Sequence, residues 1–248
     1  MQTSRHVGFS LIELSIVLLV VTLLASSLML GFSAQQDNVA YRAVRQQLDE
    51  AREALLGFAI SQGRLPCPAA PDTNGEESPR GGGNCSNPWN GYLPGITLGI
   101  QPVNGQGYVI DPWGNPIRYA VTVFANPACT AGPCVSSEQG LRNAWNSSTP
   151  PSPDLRVCTT ADKHTGNAGS AECGSDTVLT KDAMAVVLSR GKNGARTPQD
   201  PDEMANLDND RLFVAHSFNG EGLAFDDQVT WISANILYSR LIAAGRLP

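Results

Sequence analysis

The sequence predicts an α+β fold: a long N-terminal helix, half of it transmembrane, packed on a small antiparallel sheet with disulfide-rich loops. Three observations predict it. An unbroken apolar run over 9–30 passes into an amphipathic pattern over 31–62; two short β-type segments, 117–124 and 183–188, follow Pro- or Gly-containing turns or precede them; and all six cysteines lie beyond the helix in Gly- and Pro-rich sequence.

The apolar run is long enough, at about 33 Å for 1.5 Å per residue, to match the hydrocarbon core of a bilayer. It carries one charge, Glu13. A carboxylate at bilayer depth costs roughly 2.5–3.5 kcal/mol on insertion scales, so Glu13 reads as functional. Beyond Gly31, Tyr41, Val44, Leu48, Ala51, Leu55 and Phe58 recur at three- and four-residue steps, and Arg42, Arg45, Gln46, Asp49, Arg52 and Glu53 take the opposite side. Gly63 supplies a stop, and Pro66 and Pro68 prevent continuation, which places the helix end near Gln62.

The 248 residues carry a net charge of −6 and 16% charged side chains, which gives no broad basic footprint for nucleic acid. After the helix there remain about 185 residues, enough for one domain with its own core. Sparse aromatics with plentiful Gly and Pro suit a loop-rich domain outside the cytoplasm. Arg5 and the amino terminus favour the cytoplasmic side for the start of the chain.

Gly8-Phe9, then Glu13, then a long apolar helix resembles the class III leader of type IV prepilins and type II secretion pseudopilins. The resemblance implies cleavage after Gly8 by a prepilin peptidase, N-methylation of Phe9, and a role for Glu13 in registering subunits during assembly. It divides the chain into a leader (1–8), a transmembrane or filament-core half-helix (9–30), an amphipathic half-helix (31–62) and an extracytoplasmic head (63–248). It also implies single-pass insertion in the inner membrane with the head in the periplasm, followed by incorporation into a pilus or pseudopilus beside other pilin or pseudopilin subunits. A second reading is an adhesive or ligand-binding tip protein on the same helix, its head ligand undefined.

Six cysteines outside the cytoplasm read as a disulfide framework. Among the 15 connectivities open to six cysteines, three local loops are expected: Cys67 with Cys85, Cys129 with Cys134, and Cys158 with Cys173. Each pair brackets a short polar or Gly/Pro-containing stretch. No Cys/His spacing suits zinc, and His6, His164 and His216 are scattered. The stretch from 65 to 107 is dense in turn formers and reads as an ordered excursion without regular structure. Residues 71–76 lack the alternating carboxylates of a calcium loop, and Gly81-Gly82-Gly83 has no P-loop context.

Asp111-Pro112-Trp113-Gly114-Asn115-Pro116 resembles a segment of the major type II secretion pseudopilin. Ser189-Arg190-Gly191-Lys192-Asn193-Gly194, followed by an acidic stretch to Asp210 and then by Asp226-Asp227 and Trp231, resembles the head loop in which those proteins hold calcium. The resemblance makes calcium the one ion in view, with Ser189, Asp226, Asp227 and nearby carbonyls as its ligands; Asn193 stands where the pattern has Asp. Asp226 and Asp227 are equally placed to cap a helix beginning near Gln228, and the two roles are compatible. From Trp231 to Ile242 the apolar spacing is helical. No nucleophile, base and orienting group share an element, so no enzyme is expected.

Overall fold

The computed structural model describes residues 10–124, 126–130, 132–149, 151–160, 173, 178–195, 200–217 and 225–248, with side chains of 27–34 excepted. Gly8, Phe9, His6 and His164 lie outside the described residues. The chain forms two compact units, Met1–Arg42 and Ala43–Pro248. Helix α1 is assigned to Leu11–Gln62.

In the first unit α1 opens with half of a capping box: the Ser10 backbone N–H donates to Glu13 Oε2 at 3.3 Å. The hydroxyls of Ser15, Thr22 and Ser26 donate back to the carbonyls of Ile12, Leu19 and Thr22, so these polar groups are satisfied within the helix. The apolar side chains around them are uncovered, from Leu11 at 88% to Val20 at 46% exposure.

The expectation of a transmembrane half-helix and of a single-pass inner-membrane protein is overturned: among the described residues, no helix is long and apolar enough to cross a membrane.

In the second unit, Val44, Leu48, Ala51, Leu55, Leu56 and Ala59 of α1 are buried in the main core. Their three- and four-residue spacing builds one continuous stripe. The helix stops where Gly63 takes φ +70° and its N–H closes on the Ala59 carbonyl at 2.8 Å. The excursion after it contains strand β1 (Gly91–Tyr92) and the single turn α2 (Gly95–Leu98), short elements the turn-rich sequence concealed.

The remaining elements are β2 (Arg118–Val121), α3 (Gly140–Trp145), β3 (Leu155–Cys158), β4 (Val178–Ser189), α4 (Pro201–Ala205), β5 (Leu212–Val214), β6 (Gln228–Ser233) and α5 (Ala234–Ala243). The sheet has six strands. Ala183 pairs with both Leu155 of β3 and Ser233 of β6, and Ala185 with both Val121 of β2 and Ile232 of β6. Strand β6 therefore follows one edge of β4, while β2 and β3 share the other end to end. Asp154 seals the junction of those two strands, its carboxylate accepting from the Thr122 hydroxyl, the Val123 N–H at 3.0 Å and Arg211 Nη1 at 3.2 Å.

The sheet is mixed, which corrects the expected antiparallel one: β5 runs parallel to β3. The connection through α4 carries the chain past β3 to its far side, and such a crossover lets a strand enter in the direction of its neighbour. A second correction concerns the C-terminus. Residues 228–233 are a strand, so Asp226 and Asp227 cap no helix; Ser233 caps α5 instead, accepting from the Ile236 N–H. Val229, Thr230 and Trp231 are β-branched or aromatic, and pairing along β4 decides their state over a helical apolar spacing.

All three expected disulfides are present: Cys67–Cys85, Cys129–Cys134 and Cys158–Cys173. The first closes a loop also held by a buried ion pair. Arg64 donates to both Glu77 oxygens, at 2.7 and 2.6 Å, and the same carboxylate accepts from the Cys67 and Gly81 N–H groups. Both side chains are almost fully enclosed. Glu77→Ala would strand the guanidinium, and a loss of about 3–5 kcal/mol is expected in urea unfolding with disulfides intact. Replacing both partners by Met should cost much less, because no uncompensated charge remains.

Candidate metal centre

Strand β4 ends at Ser189, and the turn that follows brings two distant stretches of sequence together. Asp111 organises the first. Its Oδ1 accepts from the N–H groups of Trp113 and Asn115, at 3.0 and 2.8 Å, closing the Pro/Gly turn on itself. Its Oδ2 accepts from the Ser189 hydroxyl at 2.8 Å, and Asn115 Nδ2 donates to the Gly191 carbonyl at 2.7 Å. Burial raises the Asp111 pKa, while the hydrogen bonds from Ser189, Asn115 and Trp113 oppose the rise.

On the other side of the same turn lie Glu203, Asp226 and Asp227. One carboxylate oxygen from each falls within 4.8 Å of the others, and all three residues are buried. Glu203 is carried by α4, whose start is set by Asp200 as N-cap, accepting from the Asp202 N–H at 2.8 Å, with Pro201 at the first helical position. Glu203 Oε1 accepts from Asn193 Nδ2 at 2.8 Å and from the Asp226 N–H at 3.1 Å. Asp226 Oδ2 accepts from the Asn193 N–H at 3.1 Å. Asp227 Oδ2 accepts from Asn206 Nδ2 at 2.9 Å, and that amide is itself fixed by the Val214 backbone through both its ends.

Gly191 makes the approach possible. It sits at φ +60°, and a Cβ there would lie 2.3 Å from Asp226 Oδ1 and 2.5 Å from the Asp226 carbonyl oxygen. Gly191→Ala combines left-handed strain with a clash against backbone, so a loss of about 1–3 kcal/mol in denaturant unfolding is expected, together with displacement of Asp226.

The structure thus divides the sequence-derived set. Asp226 and Asp227 come together; Ser189 does not join them, since its hydroxyl donates to Asp111 and accepts from the Gly191 N–H. Glu203, which the sequence hid inside an acidic stretch, takes the third place. Its signal was the Asp-Pro start of α4, which fixes where the helix turns Glu203 inward. Asn193, standing where the resemblance expects Asp, supplies an amide donor to Glu203 in place of a further negative charge.

The donor set fits a hard cation. Carboxylate oxygens at this mutual spacing can share an ion that binds oxygen at 2.3–2.6 Å. Burial raises the Asp227 pKa to about 8, with the charges of Glu203 and Asp226 adding to the rise and Asn206 and Arg190 opposing it. A divalent ion would reverse that balance by stabilising the ionised form. Comparison with family models, with characterised proteins and with solved structures finds no match for this chain.

The sign of the pH dependence follows from Asp227. Its folded pKa lies above the unfolded value, so the native state holds a proton that the unfolded state releases; this group's contribution is full at low pH, falls as pH rises from about 4 to about 8, and is flat above. Without divalent ions, Asp227→Asn should flatten the stability profile over that window. Calcium at pH 8 should raise the wild-type melting temperature, with about 2.7 kcal/mol expected at a hundredfold excess over Kd, and should do little for Asp227→Asn.

Proposed function

We propose that the chain is a structural subunit of pilin type, a minor component of a type IV pilus or type II secretion pseudopilus, processed after Gly8 and N-methylated at Phe9 by a prepilin peptidase. The observation that carries the reading is the exposed apolar surface of α1 in the first unit, where Leu11, Ile12, Leu14, Leu18, Leu23 and Leu24 are all more than half exposed. A contiguous apolar surface of this kind calls for a covering partner. The occupant proposed is the same stretch of neighbouring subunits, in a head-to-tail contact that does not close and so extends as a fibre.

Two further features support it. The Ser10 and Glu13 hydrogen bond gives the helix a defined start directly after the proposed cut, with a carboxylate in its first turn that would favour a newly freed α-amine. The disulfide-closed loops and the carboxylate cluster suit a head that must hold its shape outside the cytoplasm. In this reading the cluster holds calcium as a structural ion.

The test is filament recovery. Filaments sheared from cells should contain this chain, and Leu18→Glu should remove it from them while leaving disulfide formation and head folding unchanged. Equal incorporation of Leu18→Glu would contradict assembly through this surface.

A further inference from the structure

Three chain reversals meet where α1 ends. Gly63 turns the chain out of α1 at φ +70°, Gln139 turns it into α3 at φ +52°, and Gly245 turns it after α5 at φ +67°. Backbone hydrogen bonds tie these segments down: the Leu141 N–H donates to the Gly63 carbonyl at 3.3 Å, the Leu65 N–H to the Val135 carbonyl at 2.7 Å, and the Arg246 N–H to the Leu241 carbonyl at 2.9 Å. Beside the reversals lies a cavity of about 120 Å³. Main-chain bonds hold its walls, so its shape is set before any occupant arrives.

Leu141, Leu241 and Leu247, all members of the main core, supply the apolar wall. Arg142 and Arg246 stand on the polar side with the amides of Gln62 and Gln139, and no lining residue is acidic. Arginines without a carboxylate partner are common on this head and mark nothing by themselves. These two differ in converging on one cavity from separate segments, α3 and the stretch after α5. Arg246 Nη2 donates to the Ser61 carbonyl at 3.5 Å, complementing the C-terminal end of α1 and leaving the other guanidinium nitrogens for a ligand. Gln139 precedes α3 without using its side chain as a cap. It also holds a left-handed conformation that residues bearing a Cβ seldom adopt, and strained residues of this kind gather at ligand sites.

We propose that this cavity binds a small aliphatic carboxylate, its chain against the three leucines and its charged group between Arg142 and Arg246, with the Gln62 and Gln139 amides as further donors. The planar fork of arginine matches the two oxygens of a carboxylate, and two cationic side chains without an acidic neighbour in the lining select against amines. A pocket for a drug-sized ligand encloses roughly 300–1,000 Å³, so the smaller volume here specifies a short chain. The inference rests on neither the assembly reading nor the metal centre.

The full chain is titrated with sodium butyrate, sodium acetate and uncharged butyramide at constant ionic strength, following the backbone amide NMR signals of Gly63, Leu141 and Arg246. Saturable shifts with butyrate are expected. Acetate should bind on the order of tenfold more weakly for want of chain contacts, and butyramide on the order of tenfold more weakly for want of charge. Arg142→Gln and Arg246→Gln should each weaken butyrate binding by about the same factor. Arg142 is exposed, so its variant should keep the fold; should Arg246→Gln not fold, Arg142→Gln alone is read. The proposal is overturned by an absence of saturable shifts, by acetate or butyramide binding as tightly as butyrate, or by unchanged butyrate binding in folded Arg142→Gln.

Discussion

Strand β4 is the constraint on which the head depends. It is paired on both edges, with β6 along one and β2 and β3 end to end along the other. Residues 183–189 are buried throughout, which leaves their backbone no recourse to water and makes those pairings obligatory. A one-residue slip would exchange Met184 and Val187, which face the core with α1, for Val186 and Leu188, which face the other cluster. Because register is fixed, Ser189 and Gly191 emerge at a fixed point, and everything polar at that end of the sheet is assembled around them.

What is assembled there is a balance of charge. Asp111 is held by donors on all sides and closes the turn before β2 onto the turn after β4. Three carboxylates then meet beyond Gly191, with amide and backbone donors interleaved among them. Hydrogen bonds satisfy individual oxygens but do not remove the mutual repulsion of three buried negative groups. A proton on Asp227 or a cation between the three does so, which makes the cluster chemically consequential.

Much of this was legible in the sequence where local chemistry decides structure. Gly63 with Pro66 and Pro68 marked the helix end, the cysteine spacing marked the three loops, and the Pro/Gly turn at 111–116 marked the approach to β2. Legibility failed where distant pairing decides. The helical apolar spacing from Trp231 to Ile242 begins inside a strand, because residues 231–233 are claimed by β4, and β5 lies parallel to β3 through a crossover that no local pattern announces. Glu203 was invisible as a ligand because its neighbours in space, Asp226 and Asp227, lie more than twenty residues away. The expected membrane span rested on the apolar run and on the leader resemblance, and among the described residues no helix is long and apolar enough to cross a membrane.

We propose the exposed apolar start of α1 as an assembly surface of a chain that is cut after Gly8. Intact-mass measurement and N-terminal sequencing of the protein recovered from cells that make the filaments address it most directly. The account predicts a chain that has lost residues 1–8 and gained one methyl group on Phe9. Recovery of assembled protein that retains residues 1–8 would contradict it.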